Sequence, residues 1–241
     1  MSRMYNKQIV AVSVAGLLLV APRAWCQTQE SLPRAEDIVA KMTARNAEMR
    51  EAFSGYAVLR RYEVVNKHHH AEMLVRLVCA PDGGKQFSIL REAGSHFIRK
   101  HVFRKMLRKE EDASTGEMHD NTRIIPANYF FEMVGTDRVD GRPAYVLAIK
   151  PKRKSKYLIR GLIWVDAADY AITRVEGHPA KNPSFWTKSV HVVRTYDKIG
   201  KFWVPASTRS VTEVWIFGSA RLSIHDFDYA IEPQIEARVR P

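Results

Sequence analysis

Cysteine is nearly absent, with only Cys26 and Cys79 in 241 residues. That excludes a multi-disulfide scaffold and a structural metal site built from several thiolates. Glycine and proline number 12 and 11, too few for a collagen-like or low-complexity chain. No polar tract beyond residues 27–32 suggests disorder, and no internal repeat is visible. The chain has no nucleophile elbow, no phosphate-cradling glycine loop, no Cys/His pair and no HExxH spacing. No apolar run reaches the roughly 20 residues a membrane-spanning helix requires. Acidic residues are also short, 26 against 38 Lys and Arg, which gives a formal charge of +12.

The informative apolar run is the one at the start. Arg3 and Lys7 precede an apolar stretch over residues 8–21, and Ala24 and Cys26 stand where a signal peptidase reads small residues. Residues 1–26 therefore read as a secretory signal cut between Cys26 and Gln27, which places the mature protein in the periplasm. An uncleaved anchor is one alternative. Lipidation at Cys26 is another, disfavoured because Trp25 and Arg23 occupy positions where a lipidation signal carries a small residue and a leucine. Cleavage leaves Cys79 without a partner, so it reads as a small buried hydrophobe. The remaining 215 residues suffice for one core. Loss of Arg3, Lys7 and Arg23 lowers the charge to +9. A basic exported surface favours an anionic membrane surface or acidic glycans, and nucleic acid is not expected.

After a flexible segment over 27–33, Pro33 opens a helix, and Ala35, Ile38, Val39, Met42, Met49 and Phe53 recur at helical spacing up to Ser54-Gly55. The period then changes to that of strands over 56–65, 73–80 and 86–91. Residues 97–111 predict a second amphipathic helix with a basic outer face, and 112–121 a loop. Strands follow over 129–136, 144–150, 157–165, 170–176, 186–196, 202–211, 212–217 and 221–231, with a tail over 232–241. About ten strands and two helices predict an antiparallel α+β fold, and so wide a sheet should curl.

Three stripes of alternating apolar residues stand out: Tyr129, Phe131 and Met133; Tyr145, Leu147 and Ile149; Tyr157, Ile159, Ile163 and Val165. Periodicity alone does not separate ordinary core from an apolar cavity. His68-His69-His70 cannot all face one way on a strand and reads as a solvated hairpin turn rather than a metal site. His178, His191 and His225 fall on or near different strands. Asp226 and Asp228 share one strand face by alternation, as many solvated pairs do. Phe185 and Trp186, in a loop with two prolines, would suit contact with a membrane or a partner protein. Lys150, Lys152, Arg153, Lys154 and Lys156 form a basic turn that could meet anionic head groups.

The run Val139-Asp140-Gly141-Arg142-Pro143-Ala144-Tyr145-Val146-Leu147, then Ile149-Lys150-Pro151-Lys152, Leu162-Ile163-Trp164-Val165-Asp166 and Arg174-Val175-Glu176, resembles the LolA-like superfamily. That group includes outer-membrane lipoprotein carriers and periplasmic stress-sensing regulators, and the resemblance spans residues 34–231. It implies an unclosed β-barrel with amphipathic helices over the concave face of the sheet. It also turns the three stripes into candidates for an apolar cavity that shields lipoprotein acyl chains or other lipid during sorting to the outer membrane. No cofactor, metal or catalytic residue is implied. The chain lacks the additional C-terminal domain of the regulators and a convincing lipidation motif, so a soluble carrier is expected ahead of an anchored acceptor. A stress-sensing module that binds an envelope protein partner is the alternative, and an enzyme is the least supported reading.

Overall fold

The computed structural model describes residues 32–231 apart from 115, 184–186 and 215–217. The expected cleavage point at Cys26 and Gln27, the aromatic pair Phe185 and Trp186, and the 232–241 tail lie outside the described residues. Helix α1 (Ala35–Glu51) buries Ala35, Ile38, Val39 and Met42 on one face, with Glu36 and Asp37 in its first turn and Arg50 in its last. That charge order opposes the helix dipole favourably at both ends. Ten strands follow: β1 (Tyr56–Asn66), β2 (His70–Cys79), β3 (Lys85–Gly94), β4 (Tyr129–Val139), β5 (Arg142–Pro151), β6 (Ile159–Asp166), β7 (Ile172–Pro179), β8 (Thr187–Ile199), β9 (Phe202–Val214) and β10 (Gly218–Ile231). Between β3 and β4 come α2 (His96–Ile98), a π-helical turn (Arg99–Phe103), α3 (Arg104–Asp112) and α4 (Gly116–Thr122).

Three differences from the sequence reading have local causes. Residues 202–211 and 212–217 were expected as separate strands, but β9 continues unbroken through Val211 and Thr212 to Val214, and 215–217 lie outside the described residues. The loop expected over 112–121 contains α4, a short polar helix with no apolar periodicity to announce it. Asp226 and Asp228 do not share a face. Asp228 sits at φ 56° where β1 and β10 slip register, so Asp226 is buried and Asp228 exposed.

The strand order is β3-β2-β1-β10-β9-β8-β7-β6-β5-β4, and all pairings are antiparallel. The sheet is not closed into a barrel, and β3 and β4 are its two free edges. The segment 95–128, which joins these opposite edges, therefore has to travel across a face of the sheet. Pairing identifies that face. Directly opposed residues lie on the same side, and one such row runs Met73, Tyr62, Ile224, Thr208, Arg194, Val175, Ile163, Leu147 and Met133. At one end of the row, Leu147, Ile163 and Val175 pack with Ile38, Val39 and Met42 of α1. At the other, Tyr62 and Met73 pack with Ile98, Phe103 and Leu107 of the helical crossover. Both helical layers thus lie on the same face, over opposite ends of the sheet, with β8 and β9 between them.

A neighbouring row on this face reads Val64, Leu222, Ser210, Val192, Gly177, Gly161, Ile149 and Phe131. A Cβ on Gly161 would lie 2.0 Å from the Glu176 carbonyl oxygen, and one on Gly177 would lie 2.2 Å from that of Arg160. The facing glycines let β6 and β7 approach and leave this part of the inner face clear of side chains.

Candidate functional site

The motifs behind the family resemblance serve the frame. Arg142 of the Asp-Gly-Arg turn donates to both carboxylate oxygens of Asp166, at 2.6 and 3.0 Å, joining the β4–β5 hairpin to the end of β6. Asp166 also accepts the Ala168 and Asp169 amides. Burial alone would push its carboxyl up, but these donors hold it below the usual range. Arg174 stacks over Trp164, whose indole donates to Asp137 at 2.9 Å.

The groove lies on the inner face beneath the crossover, a cavity of about 750 Å³ that falls within the range of small-molecule sites. The sheet contributes Ile172, Val175, Val192, Leu222 and Ile224, and the crossover contributes Ile124 and Ile125. Its charged lining is one-sided, with Arg50, Arg123, Lys156 and Arg194 present and no carboxylate among the described residues. A second cavity of about 620 Å³ adjoins it, sharing Thr122, Tyr157, Arg194, Thr208 and Ile224.

The wall of the second cavity is an ion network that ties α3 to the sheet. Arg60, only 4% exposed, donates to Asp226 at 2.5 and 2.7 Å and to Glu110 at 2.7 Å. Lys85 reaches the same Glu110 oxygen at 2.7 Å. Burial tends to raise the Glu110 carboxyl, but Lys85 and Arg60 outweigh it and bring it down to about 2. A depressed carboxyl stabilises the fold above its unfolded value of about 4.3, and this contribution is lost as pH falls through the folded value. Stability should therefore decline by on the order of 3 kcal/mol between about pH 4.5 and 2 through this group. Urea unfolding across that range should show the decline, and Glu110→Gln should flatten it. An unchanged acid limb in that variant would refute the assignment.

The residues expected at an apolar cavity divide between two environments. Tyr129, Tyr157 and Ile159 line the groove, and Tyr129 and Ile159 also border the cluster under α1. Leu147, Ile149, Ile163 and Val165 are buried in the cluster under α1, with Phe131, Met133 and Tyr145 packed against it. Lys152, Arg153 and Lys154 are exposed; Lys152 donates to the Pro126 carbonyl at 2.5 Å, and Arg153 donates to Asn128 and Asn121. His68 and His69 form a turn whose amides donate to the Asn66 side chain. His178 and His191 face one another with ring centroids 5.1 Å apart. Among the described residues no group of His, Cys, Asp and Glu is arranged to hold a metal ion, and no helix is long and apolar enough to cross a membrane.

Arg194, Thr208, Leu222 and Ile224 were not singled out from the sequence. Val190, Val192, Arg194 and Tyr196 alternate along β8, but Lys198 continues the same alternation, so spacing alone does not set Arg194 apart.

Comparison with solved structures agrees with this architecture. An outer-membrane lipoprotein-sorting domain from Vibrio parahaemolyticus superposes with a TM-score of 0.51 at 15% identity, covering 84% of this chain and 95% of that one. It shows a shared fold. A LolA superfamily protein from Nitrosomonas europaea aligns at 0.43 and 11% identity over 83% and 94% of the two chains. MucB aligns at 0.30 and 12% identity over 80% and 92%. No curated protein matches the sequence. The model of the MucB/RseB N-terminal domain matches residues 55–176, from the start of β1 to within β7. On that match the chain belongs to the MucB/RseB N-terminal domain family.

Proposed function

We propose that this is an exported, periplasmic binding protein that shields the acyl chain of a lipoprotein, or another lipid, in the groove between the sheet and its helical crossover. One observation carries the reading: a cavity of about 750 Å³ with Ile172, Val175, Val192, Leu222 and Ile224 on its sheet side and Ile124 and Ile125 on its crossover side. Burial of a chain there supplies about 0.8 kcal/mol per methylene, ample for retention without covalent chemistry. Binding rather than catalysis accounts for the site, whose charged groups pair with one another or stand apart instead of converging on a reacting atom. Membership of the MucB/RseB family favours a second reading, in which the domain binds a protein partner, as MucB does in its complex with MucA(peri).

The test is native mass spectrometry of the protein purified from envelopes, followed by solvent extraction. A co-purifying lipid or acylated peptide supports the first reading. An apo mass that takes up neither added lipid nor lipopeptide removes it, and a stoichiometric envelope protein recovered instead would support the second.

A further inference from the structure

Charge is balanced along the wall of the adjoining cavity but not on the floor of the groove. Arg60 uses all three guanidinium nitrogens on Asp226 and Glu110, and Lys85 is held by Glu110. Two cations and two carboxylates thus cancel along the wall. Arg194 is left over. It stands at mid-sheet, between Val175 on β7 and Thr208 on β9. It forms no ion pair among the described residues, and its Nε donates to a neutral oxygen, Thr208 Oγ1, at 3.3 Å. Of the side chains two residues away on the same face, Val192 is apolar and Tyr196 gives the guanidinium a second neutral hydrogen-bond partner. Arg194 is nonetheless solvent-exposed and lines the groove. A guanidinium fork matches an oxyanion in bidentate fashion.

We infer that Arg194 is the anchor for the head group of an anionic single-chain amphiphile, a long-chain carboxylate, whose tail lies along Val175, Ile172 and Ile159 toward Ile124. The inference rests on the lipid-binding reading and adds to it a ligand class and a specificity-determining residue. One guanidinium offers one positive charge. The neighbouring carboxylates Glu110 and Asp226, both in the adjoining cavity, disfavour a doubly charged phosphate at the same point. The other lining cations, Arg50 on α1 and Arg123 and Lys156 on the connecting segments, are separate from this floor position. They suit attraction of an anion to the groove rather than its final pairing.

The experiment is calorimetric titration of the delipidated protein with dodecanoate and with dodecanol, which share a tail and differ in head-group charge. Dodecanoate should bind roughly 10- to 100-fold more tightly. Arg194→Met should abolish that preference while leaving the melting temperature unchanged, and Arg123→Met should keep most of it. Equal affinity of the native protein for the two probes would overturn the anchor and leave the lipid-binding reading standing. A preference that survives in Arg194→Met, or that disappears in Arg123→Met instead, would also overturn it. Failure of both probes to bind the native protein would remove the anchor together with the lipid-binding reading.

Discussion

Arg60→Met should destabilise the domain by about 3–5 kcal/mol, the range found when one partner of a buried ion pair is removed. Arg60 bridges two elements far apart in sequence, β10 through Asp226 and α3 through Glu110. Both Arg60 and Asp226 are buried, at 4% and 6% exposure, so Asp226 would be left desolvated, with the Tyr229 hydroxyl 3.4 Å away already donating to the Pro205 carbonyl. Glu110 would keep Lys85. The double variant Arg60→Met/Asp226→Leu removes the stranded charge, and most of the lost stability should return, because apolar pairs often replace buried ion pairs at little net cost. Urea unfolding of the wild type, both single variants and the double variant gives the coupling directly. A single-variant loss below about 1 kcal/mol would place the network in the class of surface pairs and remove its role in fixing α3.

Much of the sheet was legible in the sequence because strand alternation and turn chemistry are local. Asp140-Gly141 marks the β4–β5 hairpin, with both residues at positive φ as the tight turn requires. Burial along β2 alternates nearly without interruption from Ala71 to Cys79. Other features depend on contacts that no local pattern encodes. Register slips such as that at Asp228 change which face a residue takes, and simple alternation misplaces every side chain beyond them. The crossover of segment 95–128 follows from the order of the strands in the sheet, which hydrophobic spacing does not contain. For the same reason the candidate site was only partly legible. Alternation assigns residues to a face, but it does not say which part of that face a helix covers. Arg194 went unmarked because a single arginine in a strand is ordinary until its neighbours across β7 and β9 are known.

Ile159 and Ile163 make that distinction testable on a single strand. They are four residues apart on β6 and identical in chemistry, but Ile159 lines the groove while Ile163 is fully buried with Leu147 and Val175 under α1. An aspartate at 163 would have to remain charged in an apolar cluster or take up a proton there, and either course costs several kcal/mol. Ile163→Asp should therefore abolish the cooperative unfolding transition near neutral pH. At 159 the new carboxylate can reach groove water, so Ile159→Asp should keep its β-sheet circular dichroism and a cooperative urea transition. Its effect should appear in binding instead, because the charge interrupts the apolar path an acyl chain would follow and adds repulsion toward an anionic one. Dodecanoate uptake by native mass spectrometry should fall at least tenfold, a loss of about 1.4 kcal/mol. If Ile163→Asp folded normally and lost the ligand as Ile159→Asp does, the binding space would extend beneath α1, and the cluster there would be cavity wall rather than core.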